Sequence, residues 1–81
     1  MLTFECNSDQ QLEIYCDRDG LATLQRELDI LKEHGGHAHL MTPSWPGYEL
    51  TEERQGEHTQ LIHHVLIRLK PDNWEGSTKQ D

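Results

Sequence analysis

Histidines are the residues of this sequence with the clearest capacity for chemistry, because a neutral imidazole is a common ligand of transition metals. The chain contains six: His34, His37, His39, His58, His63 and His64. Alternation along "HAHLMT" places His37 and His39 on one face of a strand. If Val65 and Ile67 in "LIHHVLIRLK" face a helix, His64 lies on the open face together with His37 and His39. Three imidazoles on one solvated face have the ligand chemistry to hold zinc or nickel.

The same spacing is also typical of polar residues on a wet sheet face. The sequence has no cysteine pair at zinc-ligand spacing and no His-Glu-x-x-His motif, and zinc sites usually need a fourth fixed ligand. We therefore predict no metal site and no cofactor. A histidine-based metal-binding or sensory domain, built on His37, His39 and His64, is the alternative.

Catalytic motifs are absent from the sequence. There is no glycine-rich phosphate loop and no Gly-x-Ser-x-Gly elbow. Alternation predicts that Cys6 and Cys16 face the core, where a thiol stays protonated and unreactive, and no disulfide between them is expected. We predict that the protein is not an enzyme and has no catalytic residues.

An aromatic and acidic segment follows the histidine-rich strand, and it offers a surface for a partner. Trp45 stands between two prolines, and Tyr48 follows shortly after. Trp and Tyr are enriched at the hot spots of protein interfaces. The predicted partner-binding residues are Trp45, Tyr48, Glu49, Glu52 and Glu53. The other interpretation of Trp45 is that it folds back and covers one end of a small core.

The acidic balance of the chain limits its partners. Among 81 residues, 15 are acidic and 7 are basic, and this net charge of −8 argues against nucleic-acid binding, which needs a basic patch. No targeting segment opens the sequence and no run approaches the roughly 18 apolar residues of a membrane span. We expect a cytoplasmic protein without membrane contact. Because only 33% of the residues are hydrophobic, the core is lean, and a homodimer would add buried surface.

Two alternating runs at the start of the chain, "LTFECN" and "QLEIYC", predict a β-hairpin around a polar turn. Residues that point inward must face each other across the pair, because a slip of one residue moves a whole strand to the other face. The resulting register pairs Leu2 with Cys16, Phe4 with Ile14 and Cys6 with Leu12.

The segment "DRDGLATLQRELDILKEHGG" predicts a helix over 19–34. Its leucines recur at helical spacing and form one apolar stripe: Leu21, Leu24, Leu28 and Leu31. Asp17 or Asp19 is expected to cap the start. Gly35 is expected to end the helix in the left-handed conformation.

The element order β-β-α-β-β predicts an α+β fold, a small antiparallel or mixed β-sheet with one amphipathic helix packed on one face. "HAHLMT" is the third predicted strand, and the apolar run "LIHHVLIRLK" is a central one. The polar connection between them is expected to hold a short strand at 48–51. We predict a single domain over 1–71 and a polar, mobile C-terminal tail over 72–81. The second face of the sheet is either wet or covered by something else.

The stretch "HAHLMTPSWPGYELTEE", residues 37–53, resembles the signature of the immunity protein 32 family of bacterial polymorphic toxin systems. The likeness rests on "HLMTPSW" followed by "GYELTE". In the family, the tryptophan is commonly followed by two glycines, and Pro46 departs from that pattern, which leaves the local turn geometry open. The resemblance implies a non-enzymatic cytoplasmic protein that binds and neutralises a cognate toxin. A basic toxin would meet an acidic inhibitor faster through electrostatic steering.

Overall fold

Residues 1–72 are described by a computed structural model of the protein, and they form five strands and one helix. In chain order these are β1 (Leu2–Asn7), β2 (Leu12–Cys16), α1 (Arg18–His34), β3 (His37–Met41), β4 (Thr59–Ile62) and β5 (His64–Arg68). The predicted α+β class is confirmed, and the terminal apolar run forms two strands instead of one. The predicted tail, 72–81, lies outside the described residues except for Asp72. Within 1–72, no helix is long and apolar enough to cross a membrane.

The hairpin of β1 and β2 turns at Asn7. The side chain of Asn7 accepts hydrogen bonds from the backbone N–H groups of Asp9 (2.8 Å) and Gln11 (3.0 Å), and these support the backbone turn in which Gln10 donates its N–H to the carbonyl of Asn7 at 3.1 Å. The strands then pair antiparallel, with Phe4 opposite Ile14. The predicted register is confirmed.

Both ends of α1 follow from the residue types that the sequence places there. Asp17 caps the start by accepting a hydrogen bond from the N–H of Gly20 at 2.8 Å. Gly35 ends the helix with a φ of 74° and donates its N–H to the carbonyl of Leu31 at 2.8 Å. Gly20 is required for another reason, since a Cβ there would lie 1.7 Å from the carbonyl oxygen of Met1.

The strands form two antiparallel sheets. Sheet A has the order β2-β1-β4, and sheet B pairs β3 with β5. His63 separates β4 from β5, because the run pairs with β1 up to Ile62 and with β3 from His64 onward. Thr42 donates its backbone N–H to the carbonyl of His63 at 3.0 Å, which fixes the backbone where the chain passes from sheet A to sheet B. One apolar run therefore supplies a strand to each sheet.

The buried core is small and lies where α1 packs on β1, β2 and β3. The core cluster consists of Leu2, Phe4, Leu40 and Leu50, with Leu24, Ile62, Val65 and Ile67 packed against it. Leu50 belongs to the connection after β3. No strand forms at 48–51, contrary to the prediction, yet Leu50 is only 2% exposed. The polar connection therefore contributes to the core.

Half of the predicted leucine stripe is exposed. Leu31 is buried and Leu24 packs on the core, whereas Leu21 and Leu28 keep 44% and 41% of their surface exposed. The prediction that all four leucines pack on the sheet is wrong for Leu21 and Leu28. Helical spacing identifies the side of a helix that faces a sheet, but a small sheet covers only part of that side.

Strand β2 provides a second correction. By register, Leu12, Ile14 and Cys16 lie on the same side of the sheet as Phe4, as predicted. Because β2 is an edge strand of sheet A, however, Leu12 is 53% and Ile14 is 46% exposed. Both thiols are free, but Cys16 is exposed and Cys6 is half-buried. The predicted burial of the two thiols is therefore wrong for Cys16.

The other face of sheet A is covered by the chain itself, around a buried carboxylate. Glu5 is fully buried, and it accepts hydrogen bonds from the hydroxyls of Thr3 (2.7 Å) and Thr59 (2.6 Å). It also accepts them from the backbone N–H groups of Gln55 (2.8 Å) and Gly56 (2.9 Å). Residues 55–59 therefore fold over this face at Glu5. Of the two predicted alternatives for the second face, solvated or covered, the buried position of Glu5 shows the covered one.

A first prediction compares two leucines of the stripe. Leu31→Ala should lower the free energy of unfolding by about 2 to 5 kcal/mol, because it leaves a cavity in a buried site. Leu28→Ala should lower it by less than half as much, because Leu28 is 41% exposed. Urea unfolding of both variants measures the difference. Equal losses would show that the two leucines are buried alike.

A second prediction concerns Glu5 and acid. Burial alone would raise the pKa of Glu5, but its four hydrogen-bond donors outweigh burial and lower the pKa from 4.5 to about 2. Because the folded pKa is depressed, the stabilisation is complete above the ordinary pKa and is lost as the pH falls towards about 2. Glu5→Gln should cost about 1 to 3 kcal/mol near neutral pH, since donors lose an ionised acceptor.

The matched control is Glu57→Gln, which neutralises an exposed carboxylate of the same covering segment. Unfolding free energies are measured for both variants and the parent from neutral to acid pH. The difference between the parent and Glu5→Gln should shrink on acidification, whereas Glu57→Gln should follow the parent. A Glu5→Gln difference that does not change with pH would contradict a buried ionised carboxylate.

Candidate functional site

The predicted aromatic contacts lie on the loop after β3, residues 42–52, called the Trp45 loop from here on. Thr42 begins it and is fully buried, on the side of β3 that Leu40 also faces. The carbonyl of Thr42 accepts the backbone N–H groups of both Trp45 and Gly47, each at 2.9 Å. The loop therefore leaves the strand through a closed turn.

Gly47 is the residue of this turn that cannot be replaced without a backbone shift. A Cβ at this position would lie 2.4 Å from both the Cβ and the carbonyl oxygen of Met41. Pro46, which precedes it, has a fixed φ. Pro46 stands where the family pattern has the first of its two glycines. Gly47 keeps the second, which is the glycine that close packing against Met41 requires.

Two of the predicted acidic residues hold the Trp45 loop together. Glu49 accepts a hydrogen bond from the backbone N–H of Met41 at 3.0 Å, and Glu52 accepts one from that of Ser44 at 2.7 Å. Hydrogen bonds from Ser44, and then from Thr42, lower the pKa of Glu52, so this carboxylate is ionised at neutral pH. The two carboxylates therefore supply hydrogen-bond acceptors to backbone N–H groups at the end of β3 and in the loop.

Trp45 and Tyr48 are directed outward from this loop. Trp45 is 50% exposed and Tyr48 is 79% exposed. The ring of Trp45 lies 5.4 Å from that of His64, between centroids, and Trp45 is not among the residues packed on the buried core cluster. Glu53, the third predicted acidic residue, is exposed as well. The loop thus carries two exposed aromatic side chains and two of the acidic residues, and Glu53 follows directly after it.

The three histidines predicted to share a face do come together. Nδ1 of His39 lies 2.7 Å from Nε2 of His64, and the ring of His37 packs edge-on against His39 at 4.8 Å. At 2.7 Å the N–H of one imidazole must donate a hydrogen bond to the bare ring nitrogen of the other. Within residues 1–72, however, no group of three or more His, Cys, Asp or Glu residues is arranged to hold a metal ion. The imidazoles therefore contact one another through a hydrogen bond and an edge-on ring contact, and Trp45 packs against His64.

His63 has a role in the loop that the sequence did not indicate. Its Nδ1 lies 2.8 Å from the hydroxyl of Thr42 and 3.6 Å from the carboxylate of Glu52. Alternation along β3, extended one residue beyond Met41, places Thr42 inward with Leu40 and would have identified that residue. No local pattern identifies His63, because its contacts are distant in sequence.

A family model described as Immunity protein 32 matches residues 11–66, well over half of the chain. The matched range begins at the end of the β1–β2 turn, includes the whole Trp45 loop and ends within β5. It therefore agrees with the resemblance at residues 37–53. No curated protein and no solved structure gives a significant match to the chain.

A third prediction tests the histidine cluster as a metal site. A metal that binds only the folded state stabilises it by RT ln(1 + [M]/Kd), so the melting temperature rises once the free metal concentration exceeds the Kd. We expect zinc at micromolar concentration to give no saturable shift, because the three imidazoles are not placed as a chelating set. Scanning calorimetry with increasing zinc measures this. A stoichiometric shift that His39→Gln abolishes and His34→Gln leaves unchanged would establish the metal site instead.

Proposed function

The chain belongs to the immunity protein 32 family, and we propose that it binds and neutralises a cognate toxin protein in the cytoplasm of the cell that makes the toxin. In this proposal the protein is not an enzyme. It acts by occupying a surface of the toxin, without a cofactor and without contact with nucleic acid or membrane.

The observation that carries the proposal is the exposure of Trp45 and Tyr48 on a loop that is tied down at several points. Trp45 is 50% and Tyr48 is 79% exposed, and aromatic side chains of this kind contribute much of the binding energy in protein interfaces. The turn bonds to Thr42 and the carboxylates of Glu49 and Glu52 hold the loop in one shape. Because a rigid loop loses little conformational freedom on binding, such a surface favours affinity.

Charge supports a basic toxin as the partner. The chain carries a net charge of −8, and Glu49, Glu52 and Glu53 lie within eight positions of Trp45. Carboxylates at the rim of an interface chiefly raise the association rate by steering an oppositely charged partner. Glu49 and Glu52 would combine this role with holding the loop, whereas Glu53 is free of the loop hydrogen bonds described above. Glu53 is therefore the cleanest position at which to test steering.

A fourth prediction concerns these two contributions to the binding of a cognate toxin. Trp45→Ala should mainly speed dissociation and weaken binding by about 2 kcal/mol or more, because it removes desolvated contact area. Glu53→Gln should mainly slow association and reduce its dependence on salt. Surface plasmon resonance at several salt concentrations separates the two rates.

The matched controls lie on α1, away from the loop. Ile30→Ala removes an apolar side chain of 48% exposure, close to that of Trp45, and Glu33→Gln neutralises another exposed carboxylate. Both controls should bind the toxin as the parent does. Melting curves show whether each variant is folded. A folded Trp45→Ala variant with unchanged dissociation would remove Trp45 from the interface, and absence of binding by the parent would contradict the proposed function.

A further inference from the structure

Strand β2 has an open hydrogen-bonding edge. In sheet A, with the order β2-β1-β4, β2 pairs only with β1 within the described residues. Its outward N–H and C=O groups are therefore available to another strand. Natural edge strands are commonly protected by proline, lysine or a bulge. The segment Leu12–Cys16, "LEIYC", contains no proline and no lysine. It pairs with β1 in an uninterrupted register, without a bulge.

Apolar side chains are exposed along the same edge. Leu12 and Ile14 are 53% and 46% exposed on the side of sheet A on which α1 packs. On α1, Leu21 and Leu28 belong to the stripe that faces the sheet, and they are 44% and 41% exposed. These four residues leave apolar surface exposed on the helix side of sheet A. Burial of such residues would add to a core that is lean by itself.

We propose that β2 pairs antiparallel with β2 of a second copy of this chain, about a two-fold axis at Ile14. The two sheets A would then join into one continuous six-stranded antiparallel sheet, with the order β4-β1-β2-β2-β1-β4. The two α1 helices would lie on the same side of it. This homodimer goes beyond toxin binding and does not depend on it.

The sequence of β2 is complementary to itself in this register. Ile14 faces Ile14 of the second copy, Leu12 faces Cys16, and Glu13 faces Tyr15. Pairing about Ile14 keeps apolar residues together on the helix side, as an even register requires. Moving the axis to Glu13 would set two carboxylates directly opposite each other, which is destabilising.

Charge and hydrogen bonding favour the same register. Within one copy, Tyr15 already donates its hydroxyl to the carboxylate of Glu13. In the dimer each Glu13 carboxylate would lie beside the tyrosine of the second copy as well, so a phenol donor is available on either chain. Glu13 is the only charged residue in Leu12–Cys16, so two chains of net charge −8 meet at one of their least charged segments.

The edge of β2 is separated from the proposed toxin-binding surface. Strand β1 lies between β2 and β4, and Trp45 rests on His64 of β5 in sheet B. The Trp45 loop also reaches sheet A, where Thr51 donates its backbone N–H to the carbonyl of Leu2 at 2.9 Å, but this contact is with β1 and not with the open edge of β2. Each surface can therefore be altered while the other is kept.

Sedimentation equilibrium of the full chain, from micromolar to millimolar concentration, tests the dimer. We expect the mass to rise from 9.5 kDa towards twice that value. Ile14→Glu should weaken the dimer at least about 100-fold, because it sets like charges opposite each other in an apolar pair. The control Ile30→Glu introduces the same charge at a residue of similar exposure, 48%, and should leave the dimer intact.

Disulfide mapping in a Cys6→Ser, Cys16→Ser background tests the register directly. Residues directly opposite in an antiparallel pair have Cα atoms about 4.5 to 5.5 Å apart, within disulfide range. Ile14→Cys should therefore cross-link to itself on oxidation. Leu12→Cys should not, because its own copy lies four residues away along the strand, roughly 13 Å. A monomer at every concentration, or a dimer in which Leu12→Cys and not Ile14→Cys cross-links, would overturn the proposal.

Discussion

The buried carboxylate of Glu5 is the constraint on which much of this fold depends. A charge inside a protein is tolerated only when hydrogen bonds replace its lost water. Here they come from its own strand at Thr3 and from the distant segment 55–59. The long polar connection between β3 and β4 must therefore fold back over sheet A. With 33% hydrophobic residues, the chain has few apolar side chains with which to hold that connection in place.

The Trp45 loop uses the same device at smaller scale. Glu49 and Glu52 accept backbone N–H groups of the loop and of the strand before it. Part of the acidity of the protein is therefore structural, because ionised carboxylates shape the segments that the core does not reach. In a family of immunity proteins, the same residues would also present negative charge to a toxin. Loop shape and partner attraction would then depend on the same carboxylates, and substitutions there would change both.

The break at His63 gives the molecule two separate surfaces. It ends pairing with β1 and begins pairing with β3, so that sheet A keeps β2 as an open edge and sheet B keeps a face of histidines. The Trp45 loop rests on that face through His64. The proposed toxin contact therefore lies on the Trp45 loop, which contacts β5 through His64 and β1 through Thr51 and Leu2, whereas the proposed dimer contact lies on the edge of β2. If both proposals hold, a protein of 81 residues would bind two partners through different segments.

Local residue patterns by themselves determined the end of the helix at Gly35, the register of the first hairpin, the α+β class and the family, and they limited the helix cap to Asp17 or Asp19. Each of these depends on neighbours in sequence or on one repeating period. Burial was decided only by the tertiary structure, because alternation identifies the side that a residue faces and not whether another element covers it. Ile14 and Leu28 face the core side yet are exposed, since the sheet is small and β2 is its edge. Glu5 looks like a solvent-facing strand residue until the segment 55–59, about fifty positions away, supplies the donors that bury it.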